Sequence, residues 1–112
     1  GKSMPQQCDW DISVEDLKAL LDGDAKFEFI DVREEGEFAV SNLGAELVPL
    51  STVPERITTL DPAAHIVVHC KSGGRSAHAV KIMRAHGFMN TWNVQGGMIA
   101  WIDRIDGSLP LG

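Results

Sequence analysis

At 112 residues, with 44% hydrophobic and 23% charged side chains, the chain holds enough apolar material for one folded domain and too little length for a second. A net charge of −6, with the ten Lys and Arg residues scattered along the chain, excludes the basic face that a nucleic-acid partner requires. No apolar run approaches the length that crosses a bilayer, so a soluble, cytoplasmic protein without a membrane partner is expected.

In chain order, Gly1-Lys2-Ser3-Met4 reads as a cloning remnant, and residues 1–7 as that remnant plus a leader, leaving residues 8–112 for the domain. Ser13-Val14-Glu15-Asp16 can cap a helix with Leu17, Leu20 and Leu21 on its inward face and Gly23 as its stop. Phe27 to Val32 reads as a strand running into the charged stretch Arg33-Glu34-Glu35-Gly36-Glu37, and Glu46 to Leu50 as a shorter strand that Pro49 ends. Thr52-Val53-Pro54-Glu55 is a second candidate capping box, before a helix with Ile57 and Leu60 on one face. Ile66-Val67-Val68-His69 is the clearest strand. The stretch from Ser76 to His86 follows as a helix with Ala77, Val80 and Met83 inward and Gly87 closing it; Thr91 to Val94 is a last strand, and Met98 to Ile105 a last helix. Strands separated by helical crossovers lie parallel with helices on both faces, so the fold class is α/β.

Ligands of open parallel sheets sit beyond the carboxyl ends of the strands. Two chemically rich segments fall there: Asp31-Val32-Arg33-Glu34, and Cys70-Lys71-Ser72-Gly73-Gly74-Arg75-Ser76. Gly73 and Gly74 let the chain after Cys70 turn its backbone N–H groups inward, with a helix N-terminus behind them, a setting that favours a thiolate over a thiol. A cysteine at a strand end is often only a small buried hydrophobe, and a glycine pair often only a tight turn. What favours chemistry is the coincidence of Cys70, both glycines, Arg75 and the Asp31–Arg33 pair at strand ends. Cys8 and Cys70 lack the spacing of a zinc site or a disulfide framework and are expected as free thiols, with Cys8 a bystander. His65, His78 and His86 have no metal spacing, so no metal is expected, and His69 reads as a satisfied structural imidazole rather than a base. Lys71 is either a guide for anionic donors or an ordinary solvated lysine. Trp92 and Trp101 are expected in the core or an interface.

The loop Cys70 to Ser76 resembles the active-site loop of single-domain rhodaneses, and Asp31-Val32-Arg33-Glu34 resembles their Asp-Val-Arg segment. Gly87-Phe88 and Asn93-Val94-Gln95-Gly96-Gly97-Met98-Ile99-Ala100-Trp101 are similar to two later signatures, and the ending from Ala100 to Pro110 is similar to rhodanese domains fused to adenylyltransferases that activate ubiquitin-like sulfur carriers. The resemblance implies a parallel five-stranded sheet flanked by helices and a sulfurtransferase in which Cys70 carries a covalent persulfide and needs no other cofactor. Lys71, Ser72, Gly73, Gly74, Arg75 and Ser76 would bind the substrate, with Asp31 and Arg33 in support. The implied partners are an anionic donor such as thiosulfate, a cysteine desulfurase, a ubiquitin-like sulfur carrier serving molybdopterin or thiamine synthesis, and an adenylyltransferase domain on the native chain. Where the family carries Gly-His-Ile-Pro-Gly-Ala after a glutamate-aromatic pair, this chain has Glu37-Phe38-Ala39-Val40-Ser41-Asn42-Leu43-Gly44-Ala45, in which the distance from that pair to the final alanine is one residue shorter and both His and Pro are lacking, so a different local turn is expected there. Two other readings stand beside this one. Cysteine phosphatases also begin their loop with His-Cys but count five residues to the arginine, against four between Cys70 and Arg75; a non-catalytic binding module on the same fold is the third reading.

Overall fold

A computed structural model describes residues 10–111, so Cys8 and the expected leader lie outside the described residues. Five strands form one sheet in the order β1-β5-β4-β2-β3, where β1 is Asp11–Ile12, β2 Glu28–Asp31, β3 Glu46–Leu47, β4 Ile66–His69 and β5 Thr91–Val94. Every adjacent pair is parallel, as the alternation of strand and helix requires. The helices are α1 (Val14–Asp22), α2 (Glu35–Val40), α3 (Val53–Arg56), α4 (Gly74–Ala85) and α5 (Gly97–Arg104).

The central strand β4 is buried along its whole length, which is why its sequence is a continuous apolar run rather than an alternating one. Its side chains split between two cores. Val67 joins Leu17 and Leu20 of α1, Trp92, and Trp101 of α5 on one face, whereas Val68 joins Val53, Ala79, Val80 and Met83 beneath α3 and α4 on the other. Burying a leucine-sized side chain contributes about 1.5–3 kcal/mol, so these two layers hold the sheet from both sides.

The helix starts and stops differ from the sequence reading in instructive ways. Ser13 caps α1, its Oγ accepting from Asp16 N–H at 3.0 Å, but Leu21 is exposed; only Leu17 and Leu20, with Val14, face inward. The capping box at Thr52 does not form: its hydroxyl donates to Pro49 O at 2.7 Å, and the segment Leu50–Thr59 winds as a 3₁₀ turn, the short α3 and another 3₁₀ turn. Pro54 sits in the first turn, where its missing N–H costs least. Helix α4 begins two residues earlier than expected and turns Ser76, Ala79 and Arg84 inward with Val80 and Met83, leaving Ala77 exposed. Two elements were not anticipated. Strand β1 is two residues long, too short for its alternation to register, and α2 arises from the charged stretch, where Glu34 and Glu37 form a reciprocal capping box.

Candidate active site

Cys70 is the first residue beyond the central strand, and the chain turns there directly into α4. Gly73 caps that helix with φ +101°, a left-handed conformation that suits glycine, and a Cβ at this position would press on Gly96 N at 3.2 Å. The turn folds the start of α4 back over the sulfur. Gly73 N–H donates to Cys70 Sγ at 3.1 Å, Ser76 N–H at 3.4 Å and Ser76 Oγ lies 3.3 Å away. Burial, at 1% exposure, pushes the Cys70 thiol up, but the Ser76 hydroxyl and the backbone N–H groups of Ser76, Gly73 and Ser72 outweigh it. The net effect is a thiol held below its ordinary value, in the direction of a nucleophilic thiolate.

A second helix fixes the loop from behind. The first N–H groups of α5 donate to it, Met98 to Cys70 O at 2.9 Å and Ile99 to Lys71 O at 3.0 Å, so carbonyls of the cysteine loop satisfy the orphan donors of that helix. The approach is so close that a Cβ on Gly97 would fall 2.3 Å from Cys70 O. The glycine pair Gly96-Gly97 therefore belongs to the site through steric access rather than through chemistry.

The supporting residues form a chain of contacts that ends on the loop. Asp31 and Arg33 are both fully buried and paired, Nη2 to Oδ2 at 2.8 Å and Nε to Oδ1 at 3.1 Å. Arg33 also donates to Ser41 O at 2.7 Å and Glu37 O at 3.4 Å, which pins the end of α2. From α2 the Glu37 carboxylate reaches Arg75 with two bonds of 2.8 Å. The Arg75 guanidinium holds the Glu37 carboxyl down at about 2, and the Arg75 charge is bound in turn. Arg33 thus reaches the cysteine loop through Glu37 and Arg75.

The arrangement of a cysteine cradle at the central strand end, a buried Asp-x-Arg pair on the neighbouring strand and a Gly-Gly helix start pressed against the loop has a counterpart in known proteins: the family model of the rhodanese-like domain matches residues 13–104. The chain belongs to this family. It is 37% identical over 92 residues to the protein named "Putative sulfurtransferase YtwF" of Bacillus subtilis, an alignment covering 81% of this chain and 88% of that one. It is 34% identical over 93 residues to "Probable adenylyltransferase/sulfurtransferase MoeZ" of Mycobacterium tuberculosis, covering 80% of this chain and 24% of MoeZ. Among solved structures, a rhodanese-like domain protein from Staphylococcus aureus superposes with a TM-score of 0.77 at 30% identity, covering 91% of this chain and 97% of that one.

Within this rhodanese-like domain, Cys70, Gly73 and Ser76 meet at the sulfur, Lys71 is half-buried and Ser72 exposed on the loop, and Gly74 opens α4. The segment that departs from the family pattern makes its own turn: Gly44 N–H donates to Asn42 Oδ1 at 3.0 Å with Gly44 at φ +84°, and Ser41 Oγ donates to Pro110 O. His69 is buried, but only one of its ring nitrogens meets the expectation of a satisfied imidazole: Nδ1 lies 3.4 Å from Cys70 O. Nε2 has no hydrogen-bond partner among the described residues and lies 3.6 Å from Oδ2 of Asp31, the registered neighbour on β2, and burial pushes the imidazole down, away from the charged form. Glu37 and Asn93 were missed as site residues. Glu37 was legible as the last member of a Glu-x-x-Glu cap; Asn93 lay in a segment whose resemblance pointed to its glycines. Among the described residues no cluster of His, Cys, Asp and Glu could hold a metal ion, and no helix is long and apolar enough to cross a membrane.

Proposed function

We propose that the protein is a sulfurtransferase that carries one sulfane sulfur on Cys70. The observation that carries this reading is the cradle itself: three donors converge on a single recessed sulfur at the end of the central strand. The Cys70 thiolate attacks the outer sulfur of thiosulfate; the new Sγ–S bond forms as the S–S bond to the sulfonate breaks, and sulfite leaves with that electron pair. The resulting persulfide has a second sulfur about 2 Å farther out than Sγ, which brings the transferable atom towards the mouth of a recessed site. A thiolate or similar nucleophile then attacks that outer sulfur, the Sγ–S bond breaks and Cys70 returns as thiolate. No cofactor beyond this covalent sulfur enters the reaction.

Persulfide donors such as a cysteine desulfurase satisfy the same chemistry as thiosulfate, and a ubiquitin-like sulfur carrier in the cytoplasm is the acceptor we favour. MoeZ, of which this chain matches a part, is named an adenylyltransferase/sulfurtransferase, and that pairing of activities in one name supports an adenylated carrier as the proposed acceptor. Phosphatase chemistry fits less well. That reaction needs a general acid beside the loop, and two carboxyl groups of the site are already engaged: Glu37 is held ionised by Arg75, and Asp31 is bonded to Arg33.

The test is direct. After incubation with thiosulfate the protein should gain the mass of one sulfur atom and release thiocyanate on addition of cyanide. Cys70→Ala, a small change at a buried site, should lose both while keeping the parent's circular-dichroism spectrum. Phosphate release from an aryl phosphate, with no sulfur gained, would overturn the reading.

A further inference from the structure

The Ser76 hydroxyl has one proton and two acceptors. On one side is Cys70 Sγ at 3.3 Å; on the other is Asn93 Oδ1, with which the hydroxyl forms a short hydrogen bond. The orientation of the Asn93 amide follows from its far end. Asn93 Nδ2 lies 2.9 Å from Asp11 Oδ1, and a carboxylate only accepts, so the NH₂ must face Asp11 and the carbonyl oxygen must face Ser76. A carbonyl oxygen cannot donate. Ser76 and Asn93 are both buried, at 0% and 6% exposure, so water has little room to take either role. The other donors to the sulfur are backbone N–H groups fixed by the turn, which leaves the hydroxyl as the one donor among them that can rotate.

We propose that Asn93, oriented by Asp11, is a positioning residue that competes with Cys70 for the Ser76 hydroxyl proton. With Cys70 as a thiol, its S–H donates to Ser76 Oγ and the hydroxyl donates to Asn93. When the thiol proton leaves to solvent, the hydroxyl turns about its Cβ–Oγ bond to face the sulfur anion and releases Asn93. No covalent bond of Ser76 changes. Asn93 therefore stabilises the thiol, and the pair Asp11–Asn93 sets how much thiolate is present at a given pH. The other charged or titratable groups around the sulfur are His69 on β4, Lys71 on the loop, and Arg75 on α4 with its partner Glu37 on α2. None of these is altered by the variants below. The inference rests on Cys70 acting as a nucleophile, not on what it transfers.

The experiment measures the rate of Cys70 alkylation by iodoacetamide against pH, in a Cys8→Ala background so that one thiol reports. Asn93→Leu frees the hydroxyl for the sulfur and should raise the rate about two- to tenfold below the midpoint of the profile, the worth of one hydrogen bond. Asp11→Ala, on the exposed edge strand, lets the amide turn over and should act in the same direction. Ser76→Ala should lower the rate. In the Ser76→Ala background, neither Asn93→Leu nor Asp11→Ala should have any further effect, whereas loss of the Asp11 charge acting through space would still be felt there. Profiles superimposable on the parent's for both single variants, or shifts that persist without the hydroxyl, would overturn the proposal. Sulfur loading from thiosulfate is measured on the same samples, so a protein that shows the shifts yet takes up no sulfur sinks the sulfurtransferase reading alone.

Discussion

Arg75 carries its charge in a planar fork whose two ends already rest on the Glu37 carboxylate. The sequence suggested that this fork would grip an anionic donor, and the geometry gives it a different first partner. The two roles separate by kinetics. If the guanidinium charge also reaches the donor, neutralising its competitor should help: Glu37→Gln is expected to lower KM for thiosulfate about two- to threefold, and Arg75→Lys to raise it, because lysine keeps the charge without the paired donors. Equal KM in both variants would confine Arg75 to holding α2 against α4. At this scale the candidate nucleophile was legible because a cysteine after an apolar strand and before two glycines lets the backbone that follows turn its N–H groups back on the sulfur. The hydroxyl network behind it was not. Ser76, Asn93 and Asp11 come from three elements, and their meeting depends on the β1–β5 register of Asp11 with Asn93.

Helix α2 shows what the charged stretch does. It buries no side chain of its own, so it lacks the apolar face that holds most helices to a protein, and its attachment is polar: Arg33 on its final carbonyls and Glu37 on Arg75. That attachment should be acid-sensitive in a defined window. The folded-state Glu37 carboxyl lies at about 2 against an ordinary 4.5, a depressed carboxylate, so its contribution is fully present above about 4.5 and is lost as pH falls towards 2. Urea midpoints measured at pH 6 and pH 3 should differ less for Glu37→Gln than for the parent, since the amide has no charge to lose. An identical difference in the two proteins would mean that other carboxylates govern acid stability. Hydrophobic periodicity could not find α2, because periodicity reports burial and α2 has little to report. The same signal worked where burial is complete, in β4 and β5, and placed the start of α4 two residues late, because Gly74 and Arg75 are not fully buried.

Across the whole molecule the acidic balance bears on the anionic donor proposed above. Parallel strands with helices on both faces followed from the alternation of elements, and the fifth strand followed only from family resemblance, because β1 is too short to show a period of its own. The strand order, which brings Asp31 beside His69 and the cysteine loop to the middle of the sheet, is a property of three-dimensional packing that spacing does not encode. Charge, by contrast, was fully legible, and it makes a prediction that geometry alone would not. The chain carries a net charge of −6, and the positive charge nearest the sulfur on α4 is neutralised by Glu37, which leaves Lys71 as the other cation of the loop. A thiosulfate dianion would therefore approach against the long-range field, with help only at the last few ångströms from Lys71 and the N–H dipoles. At low ionic strength that field extends about 30 Å, and at 0.1 M about 10 Å. Raising a non-competing salt from about 0.01 M to 0.1 M should consequently increase kcat/KM for thiosulfate, the reverse of the behaviour of a site that attracts its substrate by charge. Lys71→Gln should lower kcat/KM at both salt concentrations and steepen the rise between them. A rate that falls with salt would show that the local field of Lys71 and Arg75 dominates the net charge.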